Sequence, residues 1–142
     1  MKNLYLFFVL FSTIFSFGQT KKTAVKLSVS KNDTLIYNYN TVQVKPEFPG
    51  AGNESMYFFF KKNFVTPQEL IESKTTKKIF VTFVVEKDGS LSNIKILRGL
   101  SPDADKETIR VLKAMPKWLP AEQDGYHVRC LYAVPFSIPL DD

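Results

Sequence analysis

Histidine and cysteine are nearly missing from this 142-residue chain, which carries one of each, His127 and Cys130. A lone cysteine permits no internal disulfide and no CxxC zinc site, so its plain reading is a small buried hydrophobe. The histidine lies three residues away in or beside the same strand, and strand neighbours at odd spacing point to opposite faces, so the two do not pair as nucleophile and base. No glycine-rich phosphate loop is present. Acids do not converge either: Asp103, Asp105 and Glu107 fall at the start of a predicted helix, where they spread around the axis and complement the positive end of its dipole. These shortages exclude the common catalytic and metal-binding constellations. The expectation is a non-enzyme with no catalytic residue, no metal, no cofactor and no small-molecule substrate.

A long hydrophobic run is also lacking. The apolar stretch from Leu4 to Phe17 falls short of the roughly 20 residues a bilayer-spanning helix needs. With Lys2 before it, small residues at Ser16 and Gly18, and polar Gln19-Thr20-Lys21-Lys22 after it, the stretch reads as a secretory signal peptide over 1–18, cleaved after Gly18. No cysteine follows it, which excludes a lipoprotein anchor. The formal charge of +5 comes from 19 Lys and Arg against 14 Asp and Glu. Lys21, Lys22, Lys26 and Lys31 cluster near the amino end instead of forming a stripe with aromatics, so no nucleic-acid partner is expected.

What the chain does have is apolar and aromatic substance, 44% and 14% of its residues, enough for one packed core. Residues 19–41 form a polar segment or weak hairpin, with period-two traces in Val25, Leu27, Val29 and Leu35, Tyr37, Tyr39 around Asn32-Asp33. The folded domain is expected over 42–142. Pro46, Pro49, Gly50 and Gly52 lead into a helix with Asn53 as N-cap and Met56, Phe59, Phe60 and Phe64 along one face. Pro67 stops it, and a charged connection over Gln68 to Lys78 has room for a helical turn.

From Ile79 to Arg98 the sequence reads as a β-hairpin. Ile79, Val81, Phe83 and Val85 alternate with Phe80, Thr82, Val84 and Glu86, and Asp88-Gly89 supplies the turn. With those two as the whole turn, Phe83 faces Ile94 and Val81 faces Ile96, building one continuous apolar face; a three-residue loop at Lys87 to Gly89 splits it. A second helix is expected from Ser101 or Asp103 to about Met115, striped by Ala104, Thr108, Val111, Leu112 and Met115, and ended by Pro116. Trp118, stiffened between Pro116 and Pro120, closes one end of the core. Asp124-Gly125 then turns the chain into a last strand, Val128 to Ile138.

Pro135 constrains that last strand. It has no N–H, so it belongs where its nitrogen faces away from the neighbouring strand, on an edge. By alternation Arg129, Leu131 and Ala133 also turn their backbone groups outward, leaving an open edge that is either protected by Pro135 and Pro139 or kept open for an added strand. These three are the candidate partner-binding residues, with Asp88, Gly89, Pro116, Trp118 and Pro135 as the structural motif around them. The fold class that follows is α+β: a small antiparallel β-sheet with two helices packed on one face.

The motif order Lys45-Pro46-Glu47-Phe48-Pro49-Gly50, Phe83-Val84-Val85-Glu86-Lys87-Asp88-Gly89, Arg98-Gly99-Leu100-Ser101-Pro102, Asp105-Lys106-Glu107, Met115-Pro116-Lys117-Trp118 and Val134-Pro135-Phe136 resembles the TonB C-terminal domain family in its Bacteroidetes form. The match runs from about Val42 to Leu140. It departs at Val65-Thr66-Pro67, at Lys78 and at Trp118-Leu119-Pro120-Ala121. The resemblance implies a periplasmic module that engages an outer-membrane TonB-dependent receptor or a similar protein by β-strand addition, in energy-coupled transport. The alternative is an accessory or structural periplasmic protein that forms a homodimer through the same edge.

Overall fold

The computed structural model describes residues 29–72 and 76–138. The predicted signal peptide, with Val25 and Leu27, lies outside the described residues. The elements run β1 (Ile36–Asn38), α1 (Asn53–Asn63), α2 (Gln68–Glu72), β2 (Lys77–Val85), β3 (Leu91–Arg98), α3 (Pro102–Lys113), β4 (Ala121–Gln123) and β5 (Tyr126–Ile138). The class is α+β, as expected. The sheet order is β1-β5-β2-β3, with β4 pairing β5 as well. The β2–β3, β2–β5 and β4–β5 pairs are antiparallel, whereas β1 lies parallel to β5 and makes the sheet mixed.

Both long helices cover the same face. Met56 and Phe60 from α1 and Ala104, Val111 and Leu112 from α3 join Ile79, Val81, Phe83 and Val85 of β2 and Val134, Phe136 and Ile138 of β5 in one buried cluster. Phe60 stacks on Phe136 with ring centroids 3.8 Å apart. A fully buried phenylalanine contributes about 1.5–3 kcal/mol, so the aromatic face of α1 is a main stabiliser of the sheet. The end of α1 is tied to α3 by Arg110, whose Nη2 donates to the Asn63 carbonyl at 2.6 Å and to Glu107 Oε1 at 2.6 Å. Glu107 in turn accepts from the Val65 N–H at 3.0 Å.

Helix starts follow local chemistry. Ser101 caps α3, its Oγ accepting from the Ala104 N–H at 3.2 Å, with Pro102 in the first turn. The cap of α1 is Gly52 rather than Asn53. The Asn53 side chain is engaged elsewhere, its Oδ1 accepting the Tyr132 hydroxyl at 2.8 Å.

The β2–β3 hairpin departs from the expected two-residue turn. Glu86 and Ser90 close it, with the Glu86 N–H donating to the Ser90 carbonyl at 2.8 Å, so Lys87, Asp88 and Gly89 form a three-residue loop. Near the turn Val85 faces Leu91 and Val84 faces Ser92, yet farther on Thr82 faces Lys95 and Val81 faces Ile96 as expected. The register shift between them is absorbed at Asn93, which takes a φ of 48°. A bulge there inserts one residue, and asparagine tolerates the left-handed backbone it needs. Leu91, Ile94 and Ile96 therefore all reach the core, and the longer loop does not split the apolar face.

Candidate functional site

The site is the outward edge of β5 with the elements that frame it. β5 is paired on its inner side with β2 over nine positions, from Lys77 opposite Ile138 to Val85 opposite Cys130. Pro135 sits opposite Phe80. Lacking an N–H, it must occupy a non-hydrogen-bonded position there, and alternation turns the backbone groups of Arg129, Leu131 and Ala133 away from β2.

That outward edge is not open along its length, which corrects the expectation for Val128 to Val134. One short strand, β1, occupies part of it. β4 pairs with Tyr126 to Val128, ahead of the stretch from Cys130 that β2 pairs, through a hairpin whose turn residues Asp124 and Gly125 have φ of 51° and 79°. Positive φ at both central positions is the signature of a type I′ turn, which suits an Asp-Gly pair. β1 covers the outward edge itself, with Ile36, Tyr37 and Asn38 opposite Arg129, Cys130 and Leu131. Past β1, Ala133 is exposed, and the Pro135 carbonyl accepts the Tyr57 hydroxyl at 3.2 Å. β1 falls within the period-two trace of Leu35, Tyr37 and Tyr39, whereas β4 is not legible as a strand in the sequence, because three residues carry too little alternation to declare themselves.

The side chains of the three candidate residues differ in freedom. Arg129 is committed: its Nε donates to Glu86 Oε2 at 2.8 Å, its Nη2 to Glu86 Oε1 at 2.9 Å and its Nη1 to the Thr34 carbonyl at 3.3 Å. Ser92 Oγ donates to the same carboxylate in a short hydrogen bond. The guanidinium, helped by that hydroxyl, holds Glu86 below the usual carboxylate range. Leu131 and Ala133 are exposed on the sheet face opposite the helices. Leu131 joins Ile36, Val84, Lys95 and Leu97 around a shallow trough of about 590 Å³.

Behind the edge lies an aromatic brace. Trp118 is buried, and its ring meets Phe48, Phe83 and Tyr132 edge-on with centroids 5.2–5.6 Å apart. Its indole nitrogen has no hydrogen-bond partner among the described residues. Its backbone N–H donates to the Gly89 carbonyl at 2.9 Å, and a Cβ placed on Gly89 would meet the Trp118 carbonyl oxygen at 2.0 Å. Lys117 Nζ reaches Asp88 Oδ2 at 3.1 Å. Asp88, Gly89, Lys117 and Trp118, distant in sequence, thus form one joint, with Pro116 following the end of α3. The Asp88 carboxyl is lowered first by the Ser90 hydroxyl, then by the Ser90 N–H and Lys117.

The remaining reactive groups stay apart. His127 is exposed beside Glu122, its Nε2 3.4 Å from Oε1. Cys130 is buried, and burial pushes its thiol up to about 11. Asp105 accepts the Leu100 N–H at 3.0 Å while Glu107 serves Arg110. Among the described residues no three His, Cys, Asp or Glu side chains gather as a metal site, and no helix is long and apolar enough to cross a membrane.

Residues 63–138 match the family model described as Gram-negative bacterial TonB protein C-terminal. The chain belongs to the TonB C-terminal family. In that family's terms, the matched segment runs from the end of α1 to the end of β5 and so contains the hairpin, α3 and the whole candidate edge. A solved structure, the NMR solution structure of the Helicobacter pylori TonB C-terminal domain, is similar to it at 15% sequence identity and a TM-score of 0.44, covering 62% of this chain and 95% of that one. The search of curated proteins found no match.

Proposed function

We propose that this TonB C-terminal family member is a periplasmic protein-binding module. It engages an outer-membrane transporter, or a related partner, by adding an extended segment of that partner to the outward edge of β5 in energy-coupled transport. The observation that carries this reading is that the edge already accepts a parallel strand at Arg129 to Leu131. An edge that pairs with one extended segment has the backbone geometry to pair with another. Family membership supports the class of partner. Export follows from the signal peptide read over 1–18, and mass spectrometry of the exported chain should show a mature protein starting at Gln19. The alternative, a homodimer that pairs two β5 edges, would use the same Arg129 to Leu131 backbone and would appear as a doubled mass in equilibrium sedimentation.

The test is photocrosslinking in cells, with a crosslinking residue at Ala133 and a control at exposed Lys113 on α3. The expected product joins position 133, and not position 113, to an outer-membrane transporter. Equal products from both positions, or none from 133, would overturn the proposal.

A further inference from the structure

The chain supplies its own occupant for the docking edge. We propose that β1 is a displaceable internal stand-in for the partner strand, and that the segment it stands in for runs parallel to β5 with an aromatic residue at the Tyr37 position. This rests on the reading of the β5 edge as the docking edge.

Three observations support it. First, β1 is short and much of its hydrogen bonding is local, the anchors from elsewhere being Arg129 on the Thr34 carbonyl, Lys87 on the Lys31 carbonyl and the Tyr39 ring edge-on to Tyr132. It has three residues, below the usual five or six for a strand, so it contributes few ladder hydrogen bonds. The Tyr37 hydroxyl donates to Asp33 Oδ2 at 2.6 Å and the Leu35 N–H to Asp33 Oδ1 at 2.9 Å, while the Asn38 carbonyl accepts from the N–H groups of Thr41 and Val42. These bonds lie within residues 33–42 and can persist when that loop lifts. Second, the chain is fastened again just beyond. Val44 and Glu122 exchange two backbone hydrogen bonds at 3.0 Å, and Glu47 and Leu119 exchange another pair. A lifted β1 therefore stays tethered beside its site and competes as an intramolecular ligand. Third, the opposite edge of the sheet is blunted. β3 carries the Asn93 bulge and Lys95 in mid-strand, devices that discourage pairing.

The packing of β1 states what the site accepts. Tyr37 lies against a small cluster of Val42, Ala121, Val128 and Cys130, on the same side of the sheet as the Cys130 thiol. Ile36 is exposed on the other side, at the trough beside Leu131. A partner segment that replaces β1 thus inserts one aromatic or large apolar side chain over the cluster, with exposed neighbours before and after it.

The probe is a fluorescent heptapeptide copying residues 34–40, added to the mature chain and followed by anisotropy. Unmodified protein should bind it weakly because β1 holds the site, and Tyr37→Pro, which removes both the pairing N–H and the aromatic ring of β1, should bind on the order of tenfold tighter or better. A peptide with proline in place of its first tyrosine should bind neither. Equal binding by the unmodified and Tyr37→Pro proteins, or none by a folded Tyr37→Pro protein, overturns the proposal. Tyr37→Cys provides a second arm if the proline variant fails to fold. It sets a thiol opposite Cys130, so diamide should lock β1 down and stop peptide capture, and dithiothreitol should restore it. Capture that is the same in both states also overturns the proposal. Peptide capture without a transporter crosslink at position 133 removes the transporter as partner but leaves β1 as an exchangeable strand. A crosslink without peptide capture does the reverse.

Discussion

Gly89 meets two demands at once. Its φ of 82° lies in the left-handed region that a Cβ disfavours, and the Trp118 carbonyl fills the space a Cβ would take. Gly125 has a similar φ of 79° but open space around it. Gly125→Ala should therefore cost about 1–2 kcal/mol from backbone strain alone. Gly89→Ala should cost more, roughly 3 kcal/mol or above, because the Trp118 joint must also move. Urea unfolding of both variants checks the difference, and equal losses would remove the Gly89–Trp118 contact as a constraint. Asp88-Gly89 was legible as a turn and Trp118 as a core residue. Their contact was not, because it joins backbone atoms about thirty residues apart and leaves no pattern in either segment.

Glu86 makes a prediction about acid. Its carboxyl is held below its ordinary value, chiefly by the Arg129 guanidinium. A lowered folded-state value means the carboxylate stabilises the fold above the unfolded value near pH 4.5, and that contribution is lost as pH falls through the lowered one. The melting temperature of the native protein should drop more steeply than that of Glu86→Gln as pH is lowered below that point. Parallel curves would mean that the Arg129 pair is not felt in stability. The same pair keeps the Arg129 side chain busy, so its part in docking is played by the backbone.

Among the elements, the helices were the easiest to read. The stripe of Met56, Phe59, Phe60 and Phe64 and the capped run after Ser101 are set by local spacing, and the structure buries those stripes as expected. Phe60 lies at the centre of the stack with Phe64 and Phe136, so Phe60→Ala should destabilise by about 3–5 kcal/mol, seen as a large shift in the urea midpoint. β3 was harder. Its pairing at Val81 and Ile96 could be read from the apolar pattern, but the three-residue loop and the compensating bulge could not, because each alone breaks the pattern and only together do they restore it. Asn93→Gly should be tolerated, whereas Asn93→Val should cost roughly 1–3 kcal/mol, since a branched side chain resists φ of 48°. Equal stability of these two variants would place the bulge elsewhere.

At the scale of the molecule, the strand that carries the candidate site is also the most heavily paired. β5 runs from Tyr126 to Ile138 between β2 and β1, and its first residues pair with β4. Pro135 alone was enough to tell which backbone groups point outward, since a missing N–H is a property of the residue itself. The chain's own occupation of that edge was not readable, because a parallel pairing between residues some ninety positions apart depends on the finished fold.

Backbone amide hydrogen exchange at Ala133 tests the docking edge most directly. With an extended segment of an outer-membrane transporter added, the Ala133 N–H should slow markedly, while Tyr132 and Val134, turned toward β2, keep their rates. An unchanged Ala133 rate with slowing along β3, from Leu91 to Arg98, would contradict strand addition on β5.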